Sequence, residues 1–276
     1  MKIGILGAES KHVEFFTKPI NKEMLFEHAK IETIWGGDTT KERLFACAKE
    51  MEIADIKSTS SEVIDSSDAV IITLRDGNQH MNYALECIDK KKPVFIDKPF
   101  TCKTEDAITI LTRAKQSGVA ITGGSTLCFL PEISALKKEA EQASHVELSY
   151  RADPFSPYGG WHFYGSHLTD LCAAICGTDA LYVEAERVAS EVSANVVYPN
   201  KKVRIYSAPD LAKPKITINK TYYLDDENCY YHGMKNFIEV ITTRQSTATD
   251  RFLFSVRLLE AIMSSLSTGK AADILL

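Results

Sequence analysis

No apolar stretch in this sequence approaches the ~18 residues that a membrane-spanning helix needs, so no span of that kind is expected. Positive charge is not gathered anywhere either: a short lysine run at 90–92 follows Asp89 and leads into an apolar strand pattern. With 37 acidic against 32 basic residues the net charge is −5. Nucleic acid and anionic membrane are therefore poor partners. Cysteine pairs of the CxxC type are missing as well. The seven cysteines, at positions 47, 87, 102, 128, 172, 176 and 229, are odd in number and scattered, several within apolar patterns. They read as reduced thiols in a cytoplasmic protein. Cys172 and Cys176, four apart on an apolar helix, read as core residues, and no metal is expected. The first residues, KIGILG, lack a basic region followed by an apolar one, so no signal peptide is expected.

What is present is the balance of a globular protein. The chain has 276 residues, 45% hydrophobic and 25% charged, enough for one large domain or two ordinary ones. Up to about residue 120, short apolar runs (2–7, 31–36, 69–74, 93–96 and 119–123) alternate with amphipathic stretches (41–51, 79–89 and 104–116). Near-continuous apolar strands separated by helices specify a parallel sheet covered on both faces. Right-handed crossovers wind such a sheet into a doubly wound, Rossmann-like α/β domain. After Gly124 the rhythm changes. A helix (131–142), a strand (145–151), a glycine- and aromatic-rich loop (154–161) and a helix (165–175) precede strand-like stretches within 181–224. Two helical patterns, 231–243 and 251–268, follow. This predicts an α+β domain on a mostly antiparallel sheet. The expected division is residues 1–122 and 123–276, with the last helix able to pack back on the first domain.

A Rossmann domain holds a dinucleotide's diphosphate on backbone N–H groups of its first turn, with glycines that let the backbone approach. In Gly7-Ala8-Glu9-Ser10-Lys11-His12, the first glycine of that fingerprint is in place, while Glu9 and His12 stand at the second and third positions. The Glu9 carboxylate would lie near a diphosphate unless it points away. Ser10 is placed to cap the following helix. The second strand runs out at Asp38, where a carboxylate can accept hydrogen bonds from an adenosine ribose and repel a 2′-phosphate. Asp38 lies farther from Gly7 than the usual ~20 residues and can equally cap the helix behind it. Thr39, Thr40 and Lys41 could receive a phosphate, so NAD is expected and NADP is not excluded.

Residues 69–100, AVIITLRDGNQHMNYALECIDKKKPVFIDKPF, resemble the core signature of the glucose-fructose oxidoreductase / inositol dehydrogenase family. In that signature a strand ends in Thr and a loop, a His opens a helix, and a second strand ends in Glu-Lys-Pro. Here the matches are Thr73, followed by Leu74, then His80, and Asp97-Lys98-Pro99 as a conservative version of the last element. The loop between Thr73 and His80 is longer than the usual pattern by about two residues. The resemblance implies cofactor contacts from Thr73, Leu74, His80, Asp97 and Lys98, and a catalytic and substrate-binding Lys98. A lysine just past the carboxyl end of a parallel strand lies where α/β crevices form. There it can favour charge developing on a substrate oxygen. A surface lysine at a strand end is the plain alternative. His80 could equally be a structural residue capping its turn.

The segment GGWHFYGSHLTDLCAAICG resembles the family's second signature, a glycine-rich loop entering a helix with Asp-xxx-His-xx-Asp. His167 and Asp170 match its last two members and, three residues apart, share a helix face. The resemblance makes His167 the general acid/base, a task an imidazole suits. Phe163 stands where the family has the first Asp, so the orienting carboxylate is missing. Tyr158, Trp161 and Tyr164 are candidates to line a sugar-sized pocket, or to pack under the loop. Ser125 and Phe129 lie in the segment entering the second domain, and Tyr230, Tyr231 and His232 open a late helix; none is assigned a role.

The resemblance implies an NAD(P)-dependent oxidoreductase moving hydride between nicotinamide and a hydroxyl carbon of a sugar, polyol or related small molecule. It also implies a homodimer or tetramer through the C-terminal sheet. The substitutions at positions 9, 12 and 163 keep two alternatives open. One is a non-catalytic dinucleotide- or sugar-binding protein on the same fold. The other is a lyase or hydrolase that uses tightly bound NAD for transient oxidation.

Overall fold

Residues 1–157 and 159–274 are described by the computed structural model. The first stretch alternates strands and helices: β1 (Lys2–Leu6), α1 (His12–Thr17), β2 (Lys30–Trp35), α2 (Lys41–Glu50), β3 (Asp55–Ile56), α3 (Ser60–Asp65), β4 (Ala69–Ile72), α4 (His80–Asp89), β5 (Val94–Ile96), α5 (Thr104–Ser117) and β6 (Ile121–Gly123). The six strands form one sheet in the order β3-β2-β1-β4-β5-β6, every described pairing parallel. That is the doubly wound Rossmann order, reversing direction between β1 and β4. Its inner strands are buried end to end, as a sheet covered by helices on both faces requires: AVII in β4 and VFI in β5 have no exposed residue. Phe16, Phe95 and Phe237 interlock edge to face at 5.1 and 5.8 Å between ring centres, in the core of this unit.

The second stretch contains α6 (Glu132–Glu141), β7 (His145–Tyr150), α7 (Trp161–Cys176), β8 (Tyr182–Val188), β9 (Glu191–Val197), β10 (Lys202–Ser207), β11 (Lys215–Thr217), β12 (Thr221–Tyr223), α8 (Cys229–Thr243), α9 (Thr249–Thr268) and β13 (Ala272–Asp273). Its sheet has the order β12-β11-β7-β10-β9-β8-β13 and is antiparallel except between β7 and β10. Alternation is clear in β10, whose residues run exposed and buried in turn until its end. One face is therefore packed. The buried Leu168, Leu171 and Ile175 come from α7, which packs on β7 and β10.

The chain makes two compact units: residues 1–101, 105–123 and 230–249 form one, and residues 102–104, 124–229 and 250–274 belong to the other. Residues 230–249, which include nearly all of α8, thus belong to the Rossmann unit. There Asn236 and Thr247 hydrogen-bond the Thr122 hydroxyl at 2.7 and 2.9 Å. The last helix, α9, lies in the other unit.

Two local differences from the sequence expectation have physical reasons. α7 begins at Trp161 rather than at 165, because Gly165 sits inside the helix beneath the Trp161 ring. A Cβ there would come within 2.3 Å of the indole, so this glycine marks close packing and not a helix start. β3 and α3 were not anticipated, being two and six residues long and too short to show periodicity. Thr59 and Glu62 nevertheless form a full capping box ahead of α3, the T-x-x-E pattern that announces a helix start.

Candidate functional site

In the Rossmann unit, strand ends β1, β2, β4 and β5 bring the candidate residues together. Gly7 follows β1 at φ +105°, and a Cβ on it would lie 2.7 Å from the Leu74 main-chain nitrogen. Only glycine permits that approach of the two strand ends. Thr73 closes it from the other side, its buried hydroxyl directed at the carbonyls of Leu6 and Gly7 at 3.1 and 2.9 Å. The Ser10 hydroxyl accepts the His12 N–H at 3.2 Å, but the N-cap position of α1 is held by Lys11, whose side chain makes no capping bond, so Ser10 is not the cap. The Glu9 carboxylate turns aside to β2, where Oε1 accepts the Asp38 N–H at 3.1 Å. Asp38 itself is exposed and does not cap α2; the Thr40 side chain does.

His80 is fully buried, with Nε2 2.8 Å from the Leu74 carbonyl and Nδ1 3.3 Å from that of Phe100. Burial lowers its pKa, which favours a neutral ring whose single N–H, on Nε2, donates to the Leu74 carbonyl. His12 pairs through Nδ1 with the buried Asp97 carboxylate, and the Tyr230 ring packs edge-on against His12 at 5.8 Å.

Lys98 follows at the end of β5, joined to Pro99 by a cis peptide and only 1% exposed. Burial lowers its pKa to about 7; Asp97 opposes the shift and Arg75 adds to it. For Asp97, burial acts to raise the pKa, but the charges of His12 and Lys98 outweigh it and leave the carboxyl below its ordinary value. The result is a buried carboxylate beside a lysine poised near neutrality, the kind of perturbation that accompanies function. The Arg75 guanidinium donates to the Glu9 carbonyl oxygen. Arg75 is half-buried.

In the second unit, α7 supplies His167 and Asp170, and the segment after β6 supplies Ser125. The Ser125 hydroxyl lies 2.7 Å from His167 Nδ1, while its main-chain N–H donates to Asp170 Oδ2 at 2.5 Å. One residue therefore engages both members of the helical pair. Asp170 is buried, with the Arg251 guanidinium 3.6 Å away, and that guanidinium lies over the Phe129 and Phe252 rings. The Tyr150 ring meets His167 at 5.9 Å in edge contact. Trp161 is buried at the start of α7, with Nε1 lacking a hydrogen-bond partner among the described residues; Tyr164 is half-buried, 4.9 Å from the Phe163 ring. Tyr158 lies outside the described residues. The Cys172 thiol, 3.3 Å from the Tyr198 hydroxyl, packs in the core, and the described residues contain no cluster of three or more groups able to hold a metal.

Ser125, Arg251 and Tyr150 were not selected from sequence. Ser125 had one local signal, its place directly after Gly123-Gly124 at a strand end. Arg251 and Tyr150 reach α7 only through the fold.

Residues 1–125 match the model of a family described as oxidoreductases with an NAD-binding Rossmann fold. No curated protein matches the sequence. Among solved structures, the scyllo-inositol dehydrogenase of Lactobacillus casei with bound NAD(H) and scyllo-inositol is similar over 99% of both chains, at 13% identity and a TM-score of 0.80. An oxidoreductase from Agrobacterium radiobacter, in complex with NAD+, L-tartaric acid and magnesium, is similar over 99% of this chain and 98% of its own, at 15% identity and a TM-score of 0.79. An oxidoreductase domain protein from Kribbella flavida covers 99% of both chains at 14% identity and a TM-score of 0.84. At these identities the likeness establishes the fold.

Proposed function

We infer the function from a family match: residues 1–125 of this chain match the model of the oxidoreductases with an NAD-binding Rossmann fold. On that premise we propose an NAD-dependent dehydrogenase that oxidises a hydroxyl carbon of a sugar, polyol or related small molecule. The observation that carries the proposal is Lys98. A lysine buried at the carboxyl end of a Rossmann strand, with its pKa lowered to about 7, has a chemical task that a surface lysine does not.

The first-turn residues suit a dinucleotide despite the missing glycines. Gly7 permits close backbone approach, Glu9 is turned away toward β2, and its buried Oε2 has no hydrogen-bond partner among the described residues. Gly7, Glu9, Ser10, His12 and Asp38 would hold the adenosine and diphosphate portion, with Thr73, Leu74, His80, Asp97 and Lys98 at the neighbouring strand ends. His80 and Thr73 act by fixing the loops rather than by direct contact, since their polar atoms already meet main-chain carbonyls. A bound nicotinamide supplies the hydride acceptor.

Lys98 is assigned to hold the reacting oxygen and stabilise charge as it develops. His167 is assigned the hydroxyl proton, with Ser125 holding Nδ1 in the orienting role that Phe163 cannot fill. Trp161, Tyr164, Asp170 and Tyr158 are proposed to shape the substrate side. The chain is proposed to be cytoplasmic and to pair with copies of itself through the second sheet; none of its described helices is long and apolar enough to cross a membrane.

The test is NADH formation when the protein is incubated with NAD+ and a panel of inositols, sugars and sugar acids. Turnover with a polyol-class member, lost in Lys98→Met, supports the proposal. Tightly bound NAD that co-purifies and cycles without net NADH would instead identify transient oxidation. Binding without turnover on any member would identify a non-catalytic protein.

A further inference from the structure

We propose that Glu9 is the residue that selects NAD over NADP, accepting a hydrogen bond from the free 2′-hydroxyl of the adenosine ribose alongside Asp38. This rests on the NAD-binding reading above and deepens it. Dinucleotide-binding turns place a glycine at this position so that the backbone can reach the diphosphate. A glutamate pointing forward would repel it. Here the side chain runs sideways to the carboxyl end of β2, the place from which such domains read the ribose.

The surroundings accommodate the carboxylate there. One oxygen is fixed by the Asp38 N–H at 3.1 Å. A Cβ on Gly37 would come within 2.1 Å of Oε1, and one on Gly7 within 3.0 Å of Oε2, so two glycines clear the space. The Arg75 guanidinium anchors the Glu9 carbonyl oxygen. The second carboxylate oxygen, Oε2, is buried with no hydrogen-bond partner among the described residues. A buried acceptor without a donor is costly, and a ligand that brings a donor recovers that cost. A ribose hydroxyl brings one. A 2′-phosphate brings negative charge instead, beside Glu9 and the exposed Asp38 carboxylate.

The experiment titrates wild type, Glu9→Gln, Glu9→Ala and Asp38→Asn with NADH and with NADPH, following nicotinamide fluorescence. Wild type is expected to prefer NADH. Glu9→Ala is expected to weaken NADH by about 10- to 100-fold, the span of a hydrogen bond to a charged group, while NADPH binding holds or tightens. Glu9→Gln keeps the shape without the charge and is expected to narrow the preference as well, which covers a failure of the alanine variant to fold. Glu9 variants that weaken both cofactors by the same factor would make Glu9 structural and overturn the proposal. An unchanged preference in both variants would overturn it too. Wild type that binds neither cofactor would fail differently, removing the NAD-binding reading itself.

Discussion

Replacing Lys98 by methionine is expected to lower turnover about 1000-fold, the scale of losing a preorganised charge beside a developing oxyanion. The stability of the same protein relative to wild type should fall as pH rises from 6 to 10, because only wild type carries a buried cation whose penalty is lifted when it loses its proton. The sign follows from the two pKa values. An unfolded lysine titrates near ~10.4, and burial brings Lys98 down to about 7. Between those values the unfolded chain holds the extra proton, so wild-type stability rises with pH across that window. Below pH 7 both states are charged and the penalty is complete. The stability of the methionine variant relative to wild type is therefore highest at pH 6 and declines toward pH 10. Urea unfolding of both proteins at pH 6 and pH 9 measures it. A stability difference independent of pH would show that the pKa of Lys98 is not lowered in the folded protein.

The second large effect concerns His167. His167→Ala is expected to reduce turnover about 100- to 10,000-fold, the usual contribution of a general acid/base, with NADH affinity unchanged. Ser125→Ala should reduce it by a smaller factor, about 10-fold, and should shift the pH profile, since the 2.7 Å contact at Nδ1 sets which ring nitrogen carries the proton. Groups acting as one unit are not additive, so the double variant should be no slower than His167→Ala. A double variant slower by the product of the two factors would separate Ser125 from the histidine. Restoring the wild-type pH profile with Ser125→Thr would show that the hydroxyl itself is what matters.

The fold was legible where periodicity is long and composition extreme. The fully buried runs of β4 and β5 could only be parallel strands between helices, and the alternation in β10 could only cover one packed face. It was not legible where a residue's meaning is tertiary. Gly165 reads as a helix boundary until the Trp161 ring is seen lying on it. Residues 230–249 follow the second sheet in sequence yet belong to the Rossmann unit. Within the candidate site, Lys98, His167 and Asp170 stood out because a signature surrounds them. Ser125 and Arg251 did not, because the only thing that marks them is what α7 places beside them. Glu9 was visible as an anomaly in a glycine fingerprint, but the direction of its side chain, which decides whether it obstructs or reads a cofactor, is set by an N–H on the neighbouring strand.

The most direct test of the central claim is calorimetric titration of the purified, folded wild-type chain with NADH, after any carried-over nucleotide has been removed. Saturable binding at one site per chain is the predicted result. Absence of binding in protein shown to be folded would contradict the account, because the strand-end arrangement around Gly7, Thr73 and Lys98 would then serve no dinucleotide.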